Sequence, residues 1–371
     1  MDAVLQKVLS GSNGTEGADT GPNRSDPTDM FPGLQLLLSF KPLFVPLYCL
    51  LVVVACVGNS SLLVCILADK KLHNATNFFI GNLAAGDLLM CLSCVPLTAS
   101  YAFDAHGWAF GRALCHLVPL LQAATVFASV LSLTAIAVDR YVVVAHPVCR
   151  RISLRSCGGV ALAVWALSLA LATPSFLHME YVDLHAAGLE LVVCEEFWRG
   201  GERMRLLYSC LMLLTSYMLP LLSVSVSYCA ITFHLRRRCL PGRPRHWDRK
   251  RRKTFSLLVL SVLAFALCWL PLQVFNLILD LDVEFRIVGK RYVNVLQVCC
   301  HLVAMSSACY NPFIYASLHS KLRMHLRGYL QACGRGRARD GTWGRGSLLS
   351  HHASRHTTCL SLVSELSARE G

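Results

Sequence analysis

Seven stretches of this chain are apolar and long enough to cross a bilayer. They run near residues 43–69, 77–101, 112–146, 155–177, 204–235, 252–279 and 291–317, the third and fifth interrupted by polar residues. A helix needs about 20 apolar residues to cover the hydrocarbon core, and longer ones tilt or project into water. Barrel strands would alternate in segments of about 10 residues, and these runs are continuous. Because a backbone in lipid must satisfy its own hydrogen bonds, they are expected to be helices. The expected fold class is an all-α membrane protein: a seven-transmembrane helix bundle.

Composition agrees. Only 15% of the residues are charged and 54% are hydrophobic, against roughly 25% charged in an ordinary soluble domain. The formal net charge of +13 does not point to nucleic acid, because the basic residues sit in short clusters between apolar runs rather than on a soluble face. Lys70 and Lys71 follow the first run, Arg150, Arg151 and Arg155 the third, and Arg323, Arg327, Arg335 and Arg337 the seventh. The segment 236–253 holds ten Lys and Arg against Asp248 alone. With seven spans all four clusters share one side, which is the cytoplasmic one, so the N-terminus is expected outside.

The opposite side is more acidic. Glu180, Asp183, Glu190, Glu195, Glu196 and Glu202 lie between spans four and five, and Asp280, Asp282 and Glu284 between six and seven. They read either as a solvated loop surface or as an acidic mouth that draws in a cationic ligand. Asn13-Gly14-Thr15 and Asn23-Arg24-Ser25 are glycosylation sequons in the outer tail. Asn74-Ala75-Thr76 has the same form but falls on the inner side, where it is expected to stay unmodified. No cleavable signal peptide precedes the first span, which is expected to act as its own signal and anchor.

Of 18 cysteines, nearly all fall inside apolar runs or on the inner side. Disulfides persist only in the oxidising exterior. Cys115 and Cys194 are the two that fall outside, so by elimination they pair. Residues 1–42 and 334–371 read as disordered outer and inner tails around a seven-span domain at 43–333. A short amphipathic eighth helix is expected over Leu318–Leu330, followed by Cys333, a palmitoylation candidate.

Ionisable groups inside lipid are costly and mark function by default. Asp87 is the clearest, and Asn59, Ser129, Ser307 and Asn311 lie at similar depth in other spans. They suit either a hydrated cluster around Na⁺ or a protonated Asp with its hydrogen bonds satisfied. No other cofactor and no metal centre is expected. No nucleophilic or zinc-ligating constellation appears, so no enzyme is expected. No internal repeat suggests a transporter. Pro271 and Pro312 should kink spans six and seven, allowing rigid-body swings.

The chain is identified as resembling the rhodopsin-like, G-protein-coupled receptors. The match comprises Gly58-Asn59, Leu83-Ala84-x-x-Asp87, Cys115, Asp139-Arg140-Tyr141, Trp165, Pro220 with Tyr228, Cys268-Trp269-x-Pro271, and Asn311-Pro312-x-x-Tyr315. The resemblance implies that Trp269 with Phe265 is a toggle beneath the ligand. It implies that Arg140 meets the G protein while Tyr228 and Tyr315 rearrange around it, and that Asp87 is the acid of a sodium site. It also implies a plasma-membrane location, and heterotrimeric G proteins, arrestin and receptor kinases as partners. One departure stands out: relatives often carry an acid at the base of span six, where Arg251 stands here, leaving Asp139 to restrain Arg140.

Span three has Gln122 where amine receptors carry an Asp, and span seven has His301 where a retinal-binding lysine would lie. Gln122, Thr98 and His301 resemble the pocket of the neuropeptide Y-type and RF-amide receptor group, which implies an amidated peptide ligand. Cys194-Glu195-Glu196-Phe197-Trp198, Phe275-Asn276-Leu277, Met305–Tyr315 and the run from Leu72 to Phe78 resemble the prolactin-releasing peptide branch of that group. Trp198 and Asn276 join the candidate contacts on that ground. Glu196 lies two residues beyond Cys194, and Asp280 lies nine beyond Pro271, roughly 13 Å further up the helix. Both acids are therefore expected at the rim, facing a ligand Arg, whose fork suits a carboxylate.

Overall fold

The computed structural model describes residues 32–145, 152–185, 189–198, 202–237, 245–282, 286–317 and Met324. Among them are seven helices long and apolar enough to span a membrane: Lys41–Ala68, Ala75–Ala102, Gly111–Val143, Leu154–His178, Arg203–Ser227, Leu258–Leu281 and Val293–Ala316. These are spans one to seven below, and each overlaps its expected run. The sixth is the outer part of a longer helix, Arg245–Leu281, which begins before the expected run. The expected eighth helix, apart from helical Met324, lies outside the described residues, as do Asn13, Asn23 and Cys333.

The expected unstructured outer tail is corrected at its inner end, where Pro32–Ser39 is helical. Leu37 from this helix is buried. A Cβ on Gly33 would sit 2.7 Å from the Lys290 carbonyl, so the missing side chain lets the helix lie close against the start of span seven.

The spans sort their apolar residues as lipid requires. On span one, Leu51, Ala55, Gly58, Leu62 and Ile66 recur at helical spacing and are buried. Leu50, Val53, Val57, Val64 and Leu67 on the opposite side are exposed, a face only hydrocarbon can cover. Polar N-caps begin the helices of spans two and four. Asn74 Oδ1 accepts from the Asn77 N–H at 3.0 Å, and Ser153 Oγ accepts from the Ser156 N–H at 3.2 Å. The inner sequon-like triplet is thus used structurally, its Asn as a helix cap.

Three of the prolines inside spans, Pro96, Pro220 and Pro312, are accommodated by two devices. Pro cannot donate and collides with the carbonyl four residues back. A π turn at Met90–Cys94 precedes Pro96, and another at Leu214–Met218 precedes Pro220; each widens the helix where that collision would fall. At Pro312 the freed carbonyl belongs to Ala308, and Asn59 Nδ2 donates to it at 3.0 Å. Gly58 lets the proline ring approach, since a Cβ there would lie 2.9 Å from Pro312 Cγ.

Above the bundle lies a hairpin of β1, Met179–Asp183, and β2, Val192–Glu196, antiparallel with Tyr181 opposite Cys194. The expected disulfide is present: Cys115 on span three bonds Cys194, with Cα atoms 5.8 Å apart. The loop after span two pins the hairpin again. Trp108 donates its backbone N–H to Val192 at 2.8 Å, and Val192 donates to His106 at 2.9 Å. At the end of β1, the backbone and imidazole N–H groups of His185 hold the Asp183 carboxyl below the usual carboxylate range.

Gly107 sits at this crossing with φ of +81°, and a Cβ there would lie 2.1 Å from the Val192 carbonyl oxygen. Gly111 has φ of +75° but nothing within 4 Å of a Cβ. Backbone strain of this kind costs about 1–3 kcal/mol. Gly107→Ala should therefore lower the thermal midpoint of the detergent-solubilised protein clearly more than Gly111→Ala does. Equal losses would show that the close approach to Val192 is immaterial.

Candidate ligand site and transduction core

Three of the expected ligand contacts form one chain of hydrogen bonds across the bundle. Thr98 on span two donates to Gln122 Oε1 at 3.4 Å. Gln122 Nε2 on span three faces His301 Nε2 on span seven at 3.3 Å. His301 Nδ1 meets the Tyr48 hydroxyl of span one at 2.8 Å, and that hydroxyl donates to the Val298 carbonyl at 3.3 Å. With the Gln122 amide so oriented, the directions agree: Gln122 donates to Nε2, and Nδ1–H donates to Tyr48. The chain carries no charged side chain. The two bonds that Gln122 makes, at 3.4 and 3.3 Å, are longer than the usual 2.9–3.0 Å, so they yield easily to a ligand's own donors and acceptors. Tyr48 was missed because one aromatic in an apolar run looks like packing. Beside this chain, Gln297 Nε2 donates to Asn276 Oδ1 at 3.4 Å, and the buried Gln297 Oε1 has no partner among the described residues.

At the rim, both expected acids, Glu196 and Asp280, have partners within the chain. Glu196 takes a hydrogen bond from the Ser175 hydroxyl and another from Trp198 Nε1 at 3.1 Å. Trp198 itself stacks on His178 at 3.8 Å and tilts against Tyr208 at 5.3 Å. The Asp280 side chain is 3% exposed and accepts from Arg205 Nε at 2.6 Å and from the Ser209 hydroxyl at 2.5 Å. Asp282 accepts from the backbone N–H groups of Arg286 and Ile287 at 2.9 and 2.7 Å, which makes it a turn former. Tyr101 supports the hairpin from span two: its hydroxyl accepts from the Cys194 N–H and donates to Glu195, both at 3.3 Å.

Below lies the expected inner cluster. Trp269 stacks on Phe265 with centroids 5.8 Å apart and donates through Nε1 to Ser307 Oγ at 3.1 Å. Asn311 Nδ2 donates to Asp87 Oδ2 at 2.9 Å, and Ser129 is buried at the same level, facing Gly86 of span two. The aromatic pair and the buried acid are thus linked through adjacent turns of span seven.

At the inner end Arg140 folds onto its neighbour, with Nη2 and Nε donating to Asp139 Oδ2 at 2.9 and 3.2 Å. Thr76 of span two donates to the same oxygen at 2.7 Å. Asp139 therefore does restrain Arg140, helped by a threonine that the sequence had shown only in a sequon-like triplet and in a run resembling relatives. Tyr315 is buried on span seven, and Tyr141 is half-buried. The side chains of Tyr228 and Arg251 lie outside the described residues.

Seven spans, a hairpin bridged to span three and a buried polar network running between the spans make up the membrane-spanning bundle. The family model for the 7 transmembrane receptor (rhodopsin family) matches residues 58–315. The chain belongs to this family of G-protein-coupled receptors, as the resemblance implied, and is a multi-pass membrane receptor. It is 34% identical over 291 residues to the neuropeptide Y receptor type 2 of Cavia porcellus, covering 77% of this chain and 76% of that one. It is 33% identical to the neuropeptide Y receptor type 2 of Homo sapiens over the same shares. It is 33% identical over 308 residues to the substance-K receptor of Canis lupus familiaris, covering 81% and 77%.

Proposed function

We propose that this receptor binds a basic, C-terminally amidated neuropeptide of the Arg-Phe-amide type, like prolactin-releasing peptide, and activates heterotrimeric G proteins. The observation that carries the reading is the uncharged chain Thr98–Gln122–His301–Tyr48 beneath a rim that holds a buried carboxylate, Asp280. A carboxamide offers both donors and an acceptor to such a chain. A free carboxylate offers no donor and brings a charge that no cation of the chain offsets. Asp280 suits the guanidinium, and Trp269 with Phe265 offers an apolar floor for a ring. Relatives named for neuropeptide Y and substance K favour a peptide. A neuropeptide Y-type ligand is the second reading, favoured by the type 2 receptors among the relatives. Screening amidated Arg-Phe peptides against neuropeptide Y-type peptides on expressing cells tests the choice; responses only to the latter reverse it.

The reading also sets the sign of a chemical substitution. The free-acid form of an active peptide should bind on the order of 100-fold more weakly than the amide, the usual scale for stranding a buried polar or charged group. Gln122→Ala should narrow that gap. Equal affinity of both forms at the wild-type receptor would remove the carboxamide from the account.

The rest of the reading follows the family. The N-terminus lies outside, with Asn13 and Asn23 glycosylated, and Cys333 carries palmitate at the inner face. Arrestin and receptor kinases act at the inner side. Asp87, with the hydroxyls of Ser129 and Ser307 and the amide of Asn311, forms an oxygen-rich set suited to Na⁺. Agonist affinity should therefore fall when NaCl replaces choline chloride, and Asp87→Asn should erase that difference. A wild-type receptor indifferent to Na⁺ rules the ion out.

A further inference from the structure

Arg205 and Ser209 lie four residues apart, one helical turn on the same face of span five. Both reach Asp280 on span six: Arg205 Nε at 2.6 Å on Oδ1 and Ser209 Oγ at 2.5 Å on Oδ2. The carboxylate is closed off, with 3% of its side chain exposed, while the Arg205 side chain is 36% exposed. A guanidinium from the receptor's own chain therefore already occupies the acid that an incoming guanidinium would seek.

We propose that Arg205 is an internal competitor for Asp280, displaced by the ligand's guanidinium, and that it makes the rim selective for Arg. This inference rests on the reading of Asp280 as the ligand's partner. The physical argument has two parts. While Arg205 is in place, the carboxylate is never buried unpaired, a costly state. A ligand without a guanidinium cannot displace it without creating that state. A ligand with one exchanges like for like, and Arg205, the more exposed partner, swings out to water. The receptor is competent to receive the peptide only in the fraction of time that Arg205 is open, so its apparent affinity is lowered by that fraction. The pair also ties the outer ends of spans five and six, so exchange frees them to move relative to each other.

The test uses one amidated peptide in two forms, with Arg or with uncharged citrulline at the penultimate position. Binding is measured on full-length receptor in membranes for wild type, R205Q, D280N and the double variant. R205Q should tighten binding of the Arg peptide by about tenfold, with a smaller gain for the citrulline form, as removal of a competing charge pair predicts. On the D280N background R205Q should add nothing, because the cycle isolates the pair. Unchanged or weaker binding of the Arg peptide by R205Q overturns the proposal. If D280N still discriminates Arg from citrulline, the reading of Asp280 as ligand partner fails instead. If D280N loses that discrimination while R205Q brings no gain, only the competitor fails. Should R205Q not reach the surface, R205K keeps the cation but lacks the Nε that meets Oδ1. It should show a smaller gain, and affinity at or below wild type overturns the proposal equally.

Discussion

Replacing Cys115 or Cys194 by Ser should abolish high-affinity peptide binding and strongly reduce surface display. The bond closes a loop across a sequence separation of 79, and loss of a native disulfide typically costs about 2–5 kcal/mol. Here the loss is also local. Cys194 lies in β2, and the bridge fixes the hairpin to span three next to Glu195 and Glu196. The Tyr101 hydroxyl and the Val192 backbone bonds would remain, so some hairpin should persist without its anchor. Cys299→Ser and Cys309→Ser serve as controls, since both are unbridged thiols within span seven. Binding by flow cytometry with a labelled peptide reads both effects. Wild-type binding in both bridge variants, or equal losses in the controls, would contradict this account.

The second large effect is expected at the opposite end. Arg140→Ala should reduce agonist-driven nucleotide exchange to the level of membranes without receptor, while peptide binding remains measurable. Arg140 is the group at the inner end of span three that the family pattern assigns to the G protein, held here on Asp139 Oδ2. The proposed ligand chain from Thr98 to Tyr48 is built on other turns of spans one, two, three and seven, and its partners are Gln122, His301 and the Val298 carbonyl. Signalling and binding should therefore separate in this variant. Wild-type exchange at normal surface density would remove Arg140 from the relay.

The spans were legible because lipid imposes a simple rule on sequence, a long apolar run with few charges. The Cys115–Cys194 bridge was legible because only the outer compartment permits one. Other features depend on partners distant in sequence. Nothing in the run around Tyr48 signals that it meets His301, which is 253 residues away. Arg205 stood among the outer bases and Asp280 among the outer acids, but their pairing depends on how spans five and six face each other. Glu196 read as a waiting charge because sequence cannot show that Ser175 and Trp198 already supply neutral donors. The π turns before Pro96 and Pro220 were invisible for a local reason: proline forbids one hydrogen bond but does not dictate the local repair. The helix at Pro32–Ser39 was overlooked because eight residues are too few to hold a helix alone; its buried Leu37 comes from tertiary packing.

The most direct test of the central claim joins ligand chemistry to the signal. Purified receptor in lipid nanodiscs, mixed with heterotrimeric G protein, is titrated with an amidated Arg-Phe peptide, its free acid and its Arg→citrulline form while nucleotide exchange is followed. The account predicts saturable exchange with the amidated Arg peptide and a large rightward shift for each altered form. Equal potency of the three peptides, or no exchange with any amidated peptide at a receptor that is folded and bridged, would contradict it.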